Sequence, residues 1–338
     1  MEKKLRWGII GTGGIARKFA QGLRESRTGR LVAVGSRAEG TLKPFLKDFP
    51  ATGHASYEGL LADGQVDAVY ISTPHPWHAE WAIKAAQAGR HILCEKPLTM
   101  NAAEAGKVID AARSAGVFLM EAFMYRCHPQ TARLLELIRE GRIGKVRLVE
   151  TVFSFRAAWN PESRLLNRAL GGGGILDVGG YCVSMARLVA GAAEGAAFAD
   201  PLEVKGVGQI GETGVDELAI AVMKFPGGML AQLSTGVRLA LENRVRVWGE
   251  EGHMDVPSPW VVRMDAGKSI LVVQREGERA QDVKIHADRG LYAIEADAVA
   301  ESINKGESPA MTWADSLGNM RALDRWRAEI GLRYDGER

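Results

Sequence analysis

Short apolar runs alternate with stretches of helical period through the first third of the chain. LRWGII (5–10) is a strand-like run, followed by GIARKFAQGLRES with its apolar positions on one helical face. LVAVGS (31–36) predicts a second strand. VDAVYIS (66–72) predicts a third, closed by Pro74 and Pro76. The Ala-rich HAEWAIKAAQAG predicts a helix ending at Gly89, and HILC (91–94) a further buried strand. Asn101 with Glu104 three residues on has the form of a capping box opening a helix over 101–115, and VFLM (117–120) follows. A repeated strand-then-helix order implies a parallel, doubly wound sheet.

The pattern changes after about Tyr125. PQTARLLELIREG predicts one helix, KVRLVETVFSFR a long strand, and a glycine cluster at 171–174 precedes the helical ILDVGGYCVSMARLVAG. From 203 to 275 the chain reads as successive strands, EVKGVGQI, ELAIAVMKF, MLAQLST, RVRVWG and SILVVQ, with a turn at Pro226-Gly227-Gly228. No helical stretch separates them, so a large, open, mostly antiparallel sheet is expected. Two helices, near 290–305 and 312–330, end the chain. The latter carries Trp313, Leu317, Met320, Leu323 and Ile330 at core spacing.

Composition narrows the class. The 338 residues suggest two domains, and 46% hydrophobic with 25% charged residues is ordinary globular composition. A formal net charge of +2 without a long basic tract argues against a nucleic-acid surface. No apolar run is long enough for a transmembrane helix, and MEKKLRWGIIGTGG lacks the features of a signal peptide, so no membrane association is expected. Cys94, Cys127 and Cys182 are too scattered for a disulfide framework, and a reducing cytoplasm is the expected compartment.

The first glycine motif carries chemistry. Gly11-Thr12-Gly13-Gly14-Ile15-Ala16 matches G-x-G-x-x-A directly after a strand and before a helix. Its first glycine suits the tight turn, its second lets backbone approach a pyrophosphate, and the helix start offers free N–H groups. This context predicts a dinucleotide-binding Rossmann domain. The second strand ends Val34-Gly35-Ser36-Arg37, with no carboxylate for a ribose 2′-hydroxyl. Ser36 and Arg37 instead suit a 2′-phosphate, which favours NADP, with NAD as the alternative because Glu39 is close.

Cys94-Glu95-Lys96-Pro97 follows the HILC strand, so Lys96 stands at the carboxyl end of a parallel strand, where ligands bind in such sheets. Together with Ser72-Thr73-Pro74 and His78, this tripeptide makes the chain resemble the Gfo/Idh/MocA oxidoreductases. The segments that carry the resemblance are GIIGTGGIA, STPHPWHAEWAIKAAQAGRHILCEKPLTMNAAEA, EAFMYRCHPQ and GGGGILDVGGYC, and they extend to about residue 190. The resemblance implies hydride transfer with Lys96 beside the nicotinamide. It also implies cofactor contacts from Ser72, Thr73, Pro74, His75, His78, Glu95 and Arg126. Its domain limits would be 1–124 for the nucleotide domain and 125–338 for an α+β domain that binds substrate and oligomerises, with the terminal helix packing back on the first.

Asp177 and Tyr181, four apart in one expected helix, share a face about one turn apart. By the resemblance, Tyr181 is the acid/base on the substrate oxygen, Lys96 lowers its pKa, and Asp177 orients the substrate or Lys96. Read from the sequence alone, Tyr181 is equally a core aromatic and Asp177 a first-turn charge. Many relatives have histidine where this chain has Tyr181, and asparagine where it has His75. Trp159, in the loop before the glycine cluster, is a candidate substrate contact. His75 and His78 are separated by Pro76 and lack acidic or thiol partners nearby, so no metal site is expected. The expected substrate is a sugar or related cyclic diol. Dihydrodiol oxidation, a redox-assisted glycosidase or lyase with tightly held cofactor, and a non-catalytic cofactor sensor are the alternatives. The expected assembly is a homodimer or higher homo-oligomer.

Overall fold

The computed structural model describes residues 4–261 and 266–335. The chain divides into two compact units: residues up to 128 together with 288–317, and residues 129–261, 267–287 and 318–335.

In the first unit the strands are β1 (Leu5–Ile10), β2 (Gly29–Gly35), β3 (Thr52–His54), β4 (Ala68–Ile71), β5 (His91–Glu95) and β6 (Leu119–Ala122). The helices are α1 (Gly14–Glu25), α2 (Glu39–Asp48), α3 (Tyr57–Leu61), α4 (His78–Gln87) and α5 (Ala102–Ala115). The sheet order is β3-β2-β1-β4-β5-β6 and every pair is parallel. Strand order reverses at β1, so the loops after β1, β2, β4 and β5 crowd one edge at a topological switch point. Asn101 caps α5 by accepting from Glu104 N at 3.0 Å, while Glu104 Oε2 accepts from Met100 N. The sixth strand runs two residues later than the apolar run at 117–120 indicates, and β3 pairs along the edge of β2.

The second unit holds α6 (Pro129–Arg139), β7 (Val146–Ser154), α7 (Gly180–Ala193), β8 (Glu203–Ile210), β9 (Asp216–Lys224), β10 (Leu230–Gly236), β11 (Arg244–Gly249), β12 (Gly252–Val256), β13 (Gly267–Arg275) and β14 (Gln281–Ala287). Its sheet order is β14-β13-β12-β11-β7-β10-β9-β8. All pairs are antiparallel except β7 with β10. That exception reflects the chain leaving β7 for α7 and returning, a crossover as parallel pairing requires. α7 is buried on nearly every side. The stretch 168–193 is long and apolar enough to cross a membrane by length and composition, yet its most apolar 18-residue window is wholly buried within the unit. The opposite face of β8–β10 leaves Val207, Ile220, Val222 and Leu230 exposed.

α8 (Leu291–Ser302) packs on α1 in the first unit: a Cβ at Gly22 would meet the backbone of Tyr292, so only glycine permits that approach. Asp297 ties α8 down, accepting from Ser26 Oγ at 2.6 Å and from both Thr28 N and Oγ1. α9 (Trp313–Glu329) has its first turn in the first unit and the rest in the second.

Candidate functional site

Gly11 stands at φ +100, a conformation favouring glycine, and a Cβ there would lie 2.9 Å from Ser72 Oγ. Gly13 and Gly14 are exposed, with open space where a Cβ would stand, and the first turn of α1 has no acidic side chain. This is a helix N-terminus offering N–H groups and the positive end of its dipole to a phosphate. Ser36 is buried in the turn after β2. Its hydroxyl lies 3.0 Å from Thr41 Oγ1 and 3.2 Å from Ala38 O. Thr12 Oγ1 donates to Thr41 Oγ1 at 3.0 Å, which joins the two turns. Arg37 is exposed, its guanidinium 5.7 Å from the Tyr57 ring and 5.6 Å from the Trp77 ring. Glu39 pairs with Lys43 in the first turn of α2. The rim beyond β2 is therefore hydroxyl-bearing and cationic, which suits a phosphate-bearing ribose. Sequence reading singled out Ser36, Arg37 and, within the glycine motif, Thr12, but not Thr41, whose pairing with Thr12 is a tertiary contact.

The next two strand ends carry the family-like segments. Ser72 Oγ donates to Ile10 O at 2.8 Å, tying β4 to β1 where Gly11 turns. Thr73, Pro74 and His75 continue into a tight turn over His75–Trp77 that feeds α4. His78 is fully buried, with Nδ1 2.8 Å from Pro97 O and Nε2 2.7 Å from Thr73 O. The ring thus links the loop after β4 to the loop holding Lys96, which places His78 among the groups that position the site. Lys96 is half-buried directly after β5.

A buried acid cluster lies beneath that loop. Tyr70 donates to Glu95 Oε1 and stacks on Phe19 with ring centroids 3.9 Å apart. Burial, with the negative charge of Glu95, holds the Tyr70 phenol protonated. Glu295 of α8 is fully buried, and neither of its oxygens has a hydrogen-bond partner among the described residues. Desolvation and Glu95 raise its pKa well above the usual carboxyl range, which favours its neutral form. The Arg126 guanidinium is buried, pairs with Asp315, and donates from Nε to Ala310 O at 2.9 Å. His128 is buried and its pKa falls to about 4, so it is neutral. Burial pushes the Cys94 thiol up and that of Cys182 up to about 12, so neither is a reactive thiolate.

In the second unit, the expected single helix over 175–191 is two pieces. Ile175–Gly179 is a π-helical turn that runs into α7 at Gly180. Such turns recur at functional sites, because they re-aim side chains without ending the helix. Asp177 lies in the wide turn and Tyr181 in the first turn of α7, and both are buried. Arg164 Nη1 donates to Asp177 Oδ1 at 2.8 Å, a partner the sequence did not reveal. Tyr181 meets two aromatic rings edge-on, Phe153 at 5.2 Å and Trp260 at 5.9 Å, and those two stack at 5.5 Å. Trp260 Nε1 donates to Val152 O at 2.7 Å, which fixes the stack to β7. Trp159 is half-exposed in the loop after β7, with the Arg238 guanidinium over its ring.

Chemically, the first unit offers an anion-binding helix start and an ammonium at a strand end. The second offers a buried phenol and a buried carboxylate four residues apart in sequence, and an aromatic wall. Among the described residues no His, Cys, Asp and Glu cluster suits a metal ion.

Comparison with known proteins is consistent along the whole chain. A family model described as an oxidoreductase family with an NAD-binding Rossmann fold matches residues 5–123, and a GFO/IDH/MocA C-terminal domain model matches residues 131–255. The mouse trans-1,2-dihydrobenzene-1,2-diol dehydrogenase is 33% identical over 98% of each chain. A D-xylose 1-dehydrogenase (NADP(+)) from Haloferax volcanii is 33% identical over 95% of each. A 3-ketoreductase from Actinomadura kijaniata, solved with NADP and TDP-benzene, superimposes with a TM-score of 0.87 at 28% identity, covering 97% of this chain and 98% of that one. With a glycine turn, a strand-end lysine and a tyrosine-bearing helix on a chain matched by both family domains, this protein belongs to the GFO/IDH/MocA oxidoreductases.

Proposed function

We propose that this oxidoreductase uses NADP to interconvert a carbinol and a carbonyl on a sugar or related cyclic polyol, with Lys96 and Tyr181 acting on one substrate oxygen. The observation that carries the cofactor choice is the turn after β2. Ser36, Thr41 and Arg37 stand there, and the nearest carboxylate, Glu39, is engaged with Lys43. The NADP named for the xylose dehydrogenase and held by the 3-ketoreductase supports the same choice.

NADP, held by the Gly11–Gly14 turn with Ser36 and Arg37, would supply hydride-transfer chemistry when bound. The Lys96 ammonium donates a hydrogen bond to the substrate oxygen and stabilises negative charge as it develops. Tyr181 takes the hydroxyl proton during oxidation and returns it during reduction. The Asp177 carboxylate, held by Arg164, accepts from a neighbouring substrate hydroxyl. Phe153 and Trp260 offer an apolar wall beside Tyr181 for one face of the substrate ring. That wall also favours a second reading, oxidation of an aromatic dihydrodiol, the reaction named for the mouse relative.

We further propose that the chain pairs with a second copy through the outer face of β8–β10, since Val207, Ile220, Val222 and Leu230 form an apolar patch there. The deciding experiment is a panel of monosaccharides, inositols, anhydrosugars and trans-dihydrodiols, read by absorbance of the reduced cofactor with NAD and NADP in parallel. Turnover of a sugar or polyol with NADP supports the reading. Turnover of dihydrodiols alone selects the second, and no net cofactor change with any productive substrate contradicts both.

A further inference from the structure

Asp216, the first residue of β9, is fully buried. Its side chain does not point along its own sheet. Oδ2 accepts from Ile175 N at 2.7 Å, the first N–H of the π-helical turn that carries Asp177. Oδ1 has no hydrogen-bond partner among the described residues and presses on Gly173, where a Cβ would collide with it. Gly173 sits at φ +110, so a side chain is disfavoured there on two independent grounds. A Cβ on Gly174 would come within 3.3 Å of Asp216 Oδ2 and 3.0 Å of the Gly236 Cα.

The same turn is gripped from other directions. Gly173 N donates to Leu165 O at 2.9 Å, Thr235 Oγ1 donates to Gly174 O at 3.2 Å, and the Tyr334 hydroxyl donates to Gly172 O. These contacts hold the peptides before the helix. Among the side-chain contacts described here, only that of Asp216 engages the N–H of Ile175, two residues before Asp177 and six before Tyr181.

We infer that Asp216 is a positioning residue: by accepting the Ile175 N–H against a glycine turn, it sets the start of the π-helical turn and so the places of Asp177 and Tyr181. The glycine cluster is then explained by this carboxyl group, which needs two adjacent residues without side chains in order to reach the helix start. This inference rests on the reading of Asp177 and Tyr181 as site residues. A displacement of about 1 Å at a reacting group costs about a hundredfold in rate.

The test compares Asp216→Ala, Asp216→Asn and Tyr181→Phe in the full-length protein with a substrate from the panel and NADP. Asp216→Ala should lower kcat about a hundredfold with little change in the KM for NADP, because the nucleotide half is untouched. Asp216→Asn keeps an oxygen for the Ile175 N–H and should recover most of that loss. If Asp216→Ala does not fold, Asp216→Ser, too short to reach the N–H, replaces it with the same expectation. A folded Asp216→Ala or Asp216→Ser with undiminished kcat overturns the inference, as does an Asp216→Asn protein as impaired as either. Full turnover in Tyr181→Phe instead sinks the underlying reading, whatever the Asp216 variants do.

Discussion

The buried carboxyl of Asp216 also makes a thermodynamic prediction. Burial raises its pKa from the ordinary 3.8 to about 7, opposed only in part by the backbone N–H groups of Ile175, Asp216 and Gly174 and by the charge of Arg327. A folded-state pKa above the unfolded one means that the native protein keeps a proton the unfolded chain releases. The stability this confers is fully present below pH 3.8 and is lost as pH rises through about 7. At about 1.4 kcal/mol per pH unit, the gap corresponds to about 4 kcal/mol at most. Because the residue is wholly buried, solvent screening does not reduce that figure. Asp216→Asn has nearly the same shape and no proton to lose. Urea unfolding of both proteins at intervals from pH 5 to pH 8 should show the variant gaining on the parent by about 2–4 kcal/mol across that range. A stability difference that stays flat with pH, or that moves the other way, would refute the assignment of a neutral buried acid.

Further expectations follow from the two halves of the site. Arg37→Ala removes the cation beside Tyr57 and Trp77, and should raise the KM for NADP about tenfold or more while leaving that for NAD nearly unchanged; initial rates with each cofactor measure the ratio. Gly11→Val places a branched side chain at φ +100 against Ser72, and should abolish nucleotide binding as read by fluorescence titration with the reduced cofactor. Arg164→Ala frees Asp177 from its half-exposed partner. It should lower kcat/KM about tenfold while changing unfolding free energy by about 1 kcal/mol or less.

The sequence was informative where local rules act. The Gly11 turn sits between strand and helix as the motif requires, Asn101 caps α5, and Pro226-Gly227-Gly228 turns between β9 and β10. Three strands and one helix with weak patterns escaped notice. β3 is three residues long, and β14 (QDVKIHA) is an edge strand with charges and an imidazole where a central strand would show apolar alternation. α2 carries Pro44 inside it, which masks its period, and β12 has two glycine- or histidine-bearing positions at its start. In the site, the missed partners are all tertiary. Arg164 reaches Asp177 across a loop, Asp216 reaches Ile175 from another strand, and Glu295 reads as a polar helix position although it is buried. No period or spacing encodes a contact of that kind. Glycines 171–174 were the one visible trace, and their cause lay 43 residues downstream of Gly173 in Asp216.

The most direct test of the shared-oxygen mechanism is a double-mutant cycle on kcat/KM with Lys96→Met, Tyr181→Phe and the double variant. Each single change should cost about a thousandfold, and the double variant only slightly more than the worse single one, because both groups serve the same developing charge. Full turnover in either single variant, or losses that multiply in the double, would contradict it.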